Sequence, residues 1–308
     1  MAKNFVFASA VVYIDDNLEN TSRFVEMLSN LLFDSFQHSE IILINDHLND
    51  FDSKKLKSAI KNSNVQSITL INLGYQHGLE NAMNAGVDIS IGDYVYEFDS
   101  VNVDYDQNLI IDVFNKTKEG YDLVSATPLT GGFFVSNLFY KIYKRFNANK
   151  TELRTESFRI LSRRLINRVK GSNKTIPYRK AIYASCGLKS TNIAFKPINN
   201  NKKRKDKDYR MKLAINSLLL FTDFGYKVST SMVMIMILFT ILMGIYTVVV
   251  YASGKPIEGW TTTLLFLSFA FFGLFALLAI IIKYAQILLE LVQRRTPYEI
   301  ESIEKLSK

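Results

Sequence analysis

The stretch from 92 to 107, GDYVYEFDSVNVDYDQ, places three acidic residues after a short apolar and aromatic segment. Asp99 ends that segment, and Asp104 and Asp106 follow it. Carboxylate oxygens are the ligands that Mg²⁺ and related divalent cations prefer, and the bound cation can hold a diphosphate. Val101 stands two positions after Asp99, where a paired-carboxylate site would have its second acid. The sequence therefore predicts a divalent-cation site, Mg or Mn, that lacks one of its usual carboxylates.

Polar residues also follow three other apolar segments along the chain. A polar residue after a strand is often only part of a turn, and for each residue alone that alternative stays open. Ligands of parallel α/β sheets bind outside the carboxyl ends of the strands, so we expect these residues to meet at one edge. After the first segment come Asp15, Asp16 and Asn17; after the second Asn45, Asp46, His47 and Asp50; after the third Asn72 and Gly74.

The elements that must position these residues alternate in type. Continuous apolar runs predict strands at 5–14, 41–45, 67–73, 93–99 and 121–127. Apolar residues at helical spacing predict helices at 20–33, 53–62, 77–90 and 108–119, the first capped by Asn20 or Thr21. This order predicts a mostly parallel sheet with helices on both faces.

Two later runs, 231–252 and 260–282, contain no charged residue, and each is long enough to cross a bilayer. They predict a transmembrane hairpin, with two buried core helices as the alternative. Basic residues precede the first run and follow the second, at Lys283, Arg294 and Arg295, which predicts that both chain ends are cytoplasmic. Residues 211–228 predict an amphipathic helix in the membrane interface, or alternatively a core helix.

The net charge of +8 owes much to the basic residues between 202 and 212. A solvated loop, a nucleic-acid contact and attraction to an anionic membrane surface all remain open for them, and the neighbouring apolar runs favour the membrane. We expect no nucleic-acid partner, because no aromatic and basic recognition motif is present. The single cysteine, Cys186, excludes an internal disulfide, and three scattered histidines argue against a histidine metal site.

Several stretches resemble a known family. LINDHLNDFD (43–52), the long stretch 72–99, ESFRILSRRLINRV (156–169), and the segments 136–146, 206–225 and 283–300 are similar to family 2 glycosyltransferases of the GT-A fold. Within that family they resemble the membrane-bound polyprenyl-phosphate enzymes of the dolichol-phosphate mannose synthase and GtrB type. The sequence departs from the family's pattern at Asn45, Ile71 and Val101, where the family has two acids and an arginine.

The resemblance implies a Rossmann-like GT-A cytoplasmic domain at 1–200 and a basic segment with an interfacial helix at 201–229. It further implies a transmembrane hairpin at 230–283 and a cytoplasmic tail at 284–308. The implied reaction moves a sugar from a nucleotide sugar, expected to be a UDP-sugar, to polyprenyl phosphate with inversion, for cell-surface glycan or glycolipid modification. The alternative is a catalytically impaired homologue that serves as a scaffold or partner subunit.

The resemblance also assigns roles to residues and partners. Homo-oligomers and a flippase-type membrane partner are expected by resemblance alone, together with the plasma membrane as location. Asp99 is the implied metal ligand, and Asp99, Asp104 and Arg159 are the implied catalytic residues. The implied nucleotide site comprises Tyr13, Asp15, Asp16, Asp46, Asn72 and Gly74; the implied lipid-phosphate site comprises Arg159, Arg163, Arg164, Lys207 and Tyr209.

Overall fold

The computed structural model describes residues 3–14, 17–47, 53–60, 64–129, 145, 155–171, 178–198, 224–253, 259–293 and 298–306. The strands within these ranges are β1 (Asn4–Tyr13), β2 (Phe36–Asn45), β3 (Ser67–Leu73), β4 (Tyr94–Phe98), β5 (Leu123–Pro128), β6 (Phe158–Ser162), β7 (Ser190–Phe195) and β8 (Ile300–Lys305). The helices are α1 (Leu18–Ser35), α2 (Ser53–Ala59), α3 (Leu79–Ile89), α4 (Asn108–Thr117), α5 (Arg163–Gly171), α6 (Arg179–Ser185), α7 (Phe224–Ala252) and α8 (Trp260–Gln293).

The strands form one sheet in the order β7-β5-β6-β4-β1-β2-β3-β8. β1 pairs in parallel with β2 and β4, β2 with β3, and β5 with β7. β6 runs antiparallel between β4 and β5, and β8 runs antiparallel beside β3. The predicted α/β sheet is confirmed in its first five strands and four helices, whereas the two antiparallel strands were not predicted.

Amphipathic helices fix the layers around this sheet. In α1 the buried residues Phe24, Val25, Leu28 and Leu32 recur at helical spacing and pack on one side of the sheet. Its cap is Asn17, whose side chain accepts from the Asn20 N–H at 3.1 Å, so the predicted cap at Asn20 or Thr21 is wrong.

Helix α3 lies against the other side of the sheet, because Gly86 allows a close approach. A Cβ at Gly86 would lie 2.3 Å from Cγ1 of Val11 and 2.9 Å from Cδ1 of Ile44. Only a residue without a side chain fits that contact.

The C-terminal segment returns to the sheet. β8 pairs with β3 from Leu73 opposite Ile300 to Thr69 opposite Lys305, and the Leu306 N–H donates to the Ile68 carbonyl at 2.8 Å. The predicted separate tail is corrected over 298–306, because these residues belong to the sheet of the first domain. The order of apolar and charged residues in IESIEK gave only a weak strand signal, so this pairing depends on the exposed edge of β3.

The two apolar runs fold as α7 and α8, which pack on each other. Phe239 and Phe269 have ring centroids 5.0 Å apart, and Gly273 faces the side chain of Met236. No helix, over the residues that the structure describes, is both long enough and apolar enough to cross a membrane. The transmembrane hairpin stays a prediction. The basic residues from 202 to 212 and most of the predicted interfacial helix lie outside the described residues.

Candidate functional site

Two buried arginines meet the carboxylate that ends β4. Arg159 lies on β6 in register with Glu97 of β4, and its Nη2 donates to Asp99 Oδ2 at 2.7 Å. Arg179 is the first residue of α6, and its Nη2 donates to Asp99 Oδ1 at 2.7 Å. Each Asp99 oxygen therefore accepts a charge-assisted hydrogen bond from a different arginine.

Further carboxylates surround the same two guanidinium groups. Glu97 lies 2.9 Å from Arg179 Nη1 and 3.3 Å from Arg159 Nη1. Glu80 accepts from both the backbone N–H and Nε of Arg179, at 2.8 and 3.0 Å. Glu156 lies 3.1 Å from Arg159 Nε. We name Glu80, Glu97, Asp99, Glu156, Arg159 and Arg179 the arginine–carboxylate cluster.

Burial makes this cluster electrostatically strong. Arg159 is 1% exposed and Arg179 is fully buried, whereas the Asp99 side chain is 19% exposed. Burial alone would raise the pKa of Asp99, but the charges of Arg159 and Arg179 outweigh it and hold that pKa well below its usual range. Burial and the Glu97 carboxylate raise the pKa of Tyr183, whose hydroxyl donates to Glu97 at 2.8 Å. Asp99 is thus ionised at neutral pH.

A second carboxylate at this edge, Asp46, fixes the loop between β3 and α3. Its buried oxygens accept from the backbone N–H groups of His77 at 2.7 Å and Gly78 at 2.9 Å, and from the Tyr13 hydroxyl at 3.2 Å. Gly78 has φ +82°, which a residue with a side chain rarely adopts. Asp46 therefore joins the ends of β1 and β2 to the start of α3.

His77 and the end of β3 connect this loop to the C-terminal segment. His77 Nε2 accepts from the Glu299 N–H at 3.0 Å, which leaves Nδ1 to donate to the Tyr75 carbonyl at 2.5 Å. The Asn72 amide donates to Ser302 and Glu304, both at 2.9 Å, and the Gly74 N–H donates to the Glu299 carbonyl at 3.1 Å. Asn72 and Gly74, predicted to bind nucleotide, are thus bonded to β8 and its preceding residue.

The structure separates the residues of the predicted lipid-phosphate site. Arg163 donates to the Gly92 carbonyl at 2.8 Å from Nε, and Arg164 donates to Asp122 at 2.9 Å. Gly92 precedes β4 and Asp122 precedes β5, so these two arginines lie at the amino edge of the two strands. Four residues of antiparallel strand, about 13 Å, separate Arg163 from Arg159. The grouping of Arg159, Arg163 and Arg164 at one phosphate is therefore wrong.

Arg159 itself does not lie on the surface. It is enclosed by the carboxylates of Glu97, Asp99 and Glu156, so its predicted role of drawing a lipid phosphate to an interface is corrected. Asp15, Asp16, Lys207 and Tyr209 lie outside the described residues, and their roles stay predictions. Of the residues predicted to meet at the carboxyl edge, Asn45 and Asn72 are in direct contact, since the Asn45 amide donates to Asn72 Oδ1 at 2.9 Å. Asp46 contacts Tyr13, the last residue of β1.

The described residues do not fit the predicted divalent-cation site. Both oxygens of Asp99 accept from arginines, Val101 is 3% exposed within the apolar core, and Asp104 is 6% exposed. Within the described ranges, no group of three acids, histidines or cysteines is placed to hold a metal ion. The predicted Mg or Mn ion has no ligand set here, and Asp104 does not complete one.

Comparison with known proteins identifies the domain that carries this site. Residues 18–170 match the family model described as Glycosyl transferase family 2. These residues form a family 2 glycosyltransferase domain. The expected α/β sheet of the Rossmann-like GT-A type is confirmed for it. The family match does not distinguish the polyprenyl-phosphate subgroup from other family 2 enzymes, so that assignment stays a prediction.

One relative of the glycosyltransferase domain comes from Synechocystis sp. and is described as an uncharacterized glycosyltransferase. It is 29% identical over 188 residues, which cover 59% of this chain and 57% of that protein. The chain thus spans little more than half the length of this curated relative.

Solved structures resemble the domain only distantly. The mannosyltransferase PcManGT from Pyrobaculum calidifontis, in complex with GDP-Man and Mn²⁺, has a TM-score of 0.49 at 11% identity, covering 71% of this chain and 63% of that one. Mannosyl-3-phosphoglycerate synthase from Rubrobacter xylanophilus has a TM-score of 0.46 at 13% identity, covering 69% and 74%. Because both scores lie below 0.5, the likeness does not bear on donor, acceptor or metal.

A cavity of about 190 Å³ opens beside the cluster of the glycosyltransferase domain, between β5, β7 and α6. The polar residues that line it include Arg159, Glu156, Lys180, Ser125 and Asn192. Lys180 Nζ lies 3.7 Å from Glu156 Oε2. The walls offer both positive charge and neutral hydrogen-bonding groups, which suits a polar ligand.

Sequence reasoning missed most of the arginine–carboxylate cluster. Arg179 lies 80 residues from Asp99, and Glu80 lies 99 residues from Arg179. No spacing rule connects such residues. One weak signal was available: Glu97 interrupts the apolar run YVYEF, and a charge inside a buried strand needs a partner.

Proposed function

We propose that the chain transfers a glycosyl group from a nucleotide sugar, with polyprenyl phosphate as the acceptor. The observation that supports glycosyl transfer is the position of Tyr13, Asp46 and Asp99 at the carboxyl ends of the neighbouring strands β1, β2 and β4, together with the family 2 match over residues 18–170. That edge is where parallel α/β sheets bind their ligands. A UDP-sugar is the proposed donor.

The acceptor half depends on the two apolar helices. Their large side chains are exposed, for example Met234 at 65%, Val248 at 68%, Phe272 at 69% and Ile282 at 66%. Exposed apolar area of this extent favours contact with lipid. We therefore propose that α7 and α8 form a hairpin in the plasma membrane with both chain ends cytoplasmic, and that the chain forms homo-oligomers and works beside a flippase-type partner.

The proposed reaction needs little acid–base chemistry. An oxygen of the acceptor phosphate, already an anion, attacks the anomeric carbon of the donor sugar. The bond from that carbon to the diphosphate oxygen breaks, the nucleoside diphosphate leaves with the electron pair, and the anomeric configuration inverts. The protein's task is then mainly to position both substrates. We assign the nucleoside to Tyr13 and the loop held by Asp46, and the acceptor group to the cavity lined by Lys180.

Transfer is tested with purified full-length protein in vesicles that contain polyprenyl phosphate, using radiolabelled UDP-glucose and GDP-mannose. We expect label in the lipid fraction, and we expect Tyr13→Phe, which removes only the hydroxyl bonded to Asp46, to raise the KM for the donor. Tyr94→Phe, on β4 at the opposite edge, is the matched control and should behave as wild type. If protein that binds nucleotide puts label into the lipid fraction with neither donor, this activity is excluded.

One observation favours a second function, a homologue that binds nucleotide without turnover. Asp99 is fully engaged by two arginines, and Val101 stands in place of a second acid. Such a chain would act as a scaffold or partner subunit in a glycosylation complex. This alternative predicts that the protein binds nucleotide and co-purifies with partner proteins. It also predicts that the protein transfers no sugar to any tested lipid.

A further inference from the structure

We infer that Asp99 is not a metal ligand in this chain and that its nucleotide binding needs no divalent cation. The claim about nucleotide binding rests on the proposed function, whereas the claim about Asp99 rests on the arginine–carboxylate cluster alone.

The hydrogen bonds of Asp99 are the evidence that it is not a metal ligand. Its Oδ1 and Oδ2 each lie 2.7 Å from a guanidinium nitrogen, one from Arg179 and one from Arg159. A carboxylate oxygen keeps a second lone pair, but a cation bound there would lie next to both positive groups. Repulsion between cations is strong where burial excludes water, and both arginines are almost fully buried. The site therefore disfavours an added cation.

The positive groups next to Asp99 support the same conclusion. The four carboxylates of the cluster face two guanidinium groups, with Lys180 beside Glu156 as a third positive group, and Asp99 itself is bonded to both guanidinium groups. A metal site built from carboxylates usually carries uncompensated negative charge until the ion binds. At Asp99 the arginines on β6 and α6 already compensate the charge of the carboxylate. Asp99 thus acts as a positioning residue that holds α6 against the end of β4.

The other carboxylates that the structure describes at this edge do not replace Asp99. Asp46 accepts three hydrogen bonds from Tyr13, His77 and Gly78 and is 2% exposed. Asp104 is buried, and Val101, at the position of a second acid, is packed in the core. The described part of the edge therefore offers no carboxylate pair to hold a cation on a diphosphate.

The test uses full-length protein in detergent and two measurements. Calorimetry gives the affinity for UDP and GDP, once with EDTA and once with Mn²⁺. Separately, Fe²⁺ with ascorbate replaces Mn²⁺ and cleaves the backbone near any bound metal, and mass spectrometry locates the cuts in wild-type protein. The second measurement needs no variant, so it remains valid if Asp99→Asn does not fold.

We expect nucleotide affinity to differ by less than about twofold between EDTA and Mn²⁺, with no cut next to Asp99. If Asp99→Asn folds, its affinity for Mn²⁺ should equal that of the wild type. Asp112→Asn, which changes an exposed residue of α4, is the control and should give the same affinity. Cleavage next to Asp99, or binding that requires Mn²⁺, would overturn the inference and leave the proposed function standing. If no nucleotide binds in either condition, the donor half of the proposed function fails, and the cleavage map alone decides whether Asp99 holds a metal.

Discussion

Arg179 and Asp99 form an ion pair of 2.7 Å that joins the first residue of α6 to the residue after β4. The guanidinium group is fully buried, and the carboxylate has its second oxygen on Arg159. This pair determines the role of Asp99, because the residue predicted to hold a metal is instead bonded to two arginines.

Replacing Arg179 by methionine should strongly destabilise the domain. The change leaves the carboxylates of Glu80, Glu97 and Asp99 without their shared partner, and breaking a buried ion pair lowers the free energy of unfolding by about 3–5 kcal/mol. Urea unfolding followed by circular dichroism measures the loss. Arg23→Met, which removes an exposed pair with Glu19, is the control and should change much less.

A double-mutant cycle tests the pair more directly. The losses caused by Arg179→Met and Asp99→Asn should sum to more than the loss in the double variant, because both remove the same interaction. Strictly additive losses would show that the two side chains contribute independently, contrary to the geometry.

Stability should depend on pH through Asp99. Its folded pKa is depressed, so its contribution to the free energy of unfolding is complete from about one pH unit above the usual aspartate pKa near 4. As the pH falls below about 5, the unfolded chain binds more protons than the folded one and this contribution is progressively lost. Asp99→Asn should therefore show a shallower decline of melting temperature with acid. The Asp112→Asn control should follow wild type, and equal slopes in all three proteins would contradict the assignment.

Restoring an acid at position 101 should not restore a metal site. Val101 is 3% exposed in the core, so Val101→Asp would bury a carboxylate without a partner and lower the free energy of unfolding by roughly 2 kcal/mol or more. Val103→Asp, at a residue that is 36% exposed, is the matched control and should be tolerated. Thermal unfolding with and without Mn²⁺ distinguishes the outcomes: a variant at 101 that is stabilised by Mn²⁺ would show that the acid reaches a metal.

The amide of Asn72 should stabilise the attachment of β8. Asn72→Ala removes the partner of Asn45, Ser302 and Glu304 and should lower the free energy of unfolding by about 1–3 kcal/mol. Amide hydrogen exchange should rise first in residues 299–305. Asn115→Ala, exposed on α4, is the control. Unchanged exchange in β8 would mean that backbone pairing alone holds the strand.

The order of the first nine elements was predictable from the sequence because each depends on local periodicity. Apolar runs located β1 to β5, and helical spacing located α1 to α4, with errors mainly at the ends. The positions of Asn45 and Asn72 at the ends of two apolar runs predicted their meeting, because carboxyl ends of parallel strands share an edge. β6 was not predicted as a strand, because its register depends on two neighbours far away in the chain.

The sequence by itself determined which residues end the strands and where the apolar segments lie, since both depend on neighbours within a few positions. Only the tertiary structure decided what those residues bond to. Asp99 meets arginines that lie 60 and 80 residues away, and Asn72 meets Ser302 across 230 residues. Such contacts depend on the register between strands and on the sheet edge that the C-terminal segment covers. Neither can be predicted from a local sequence pattern.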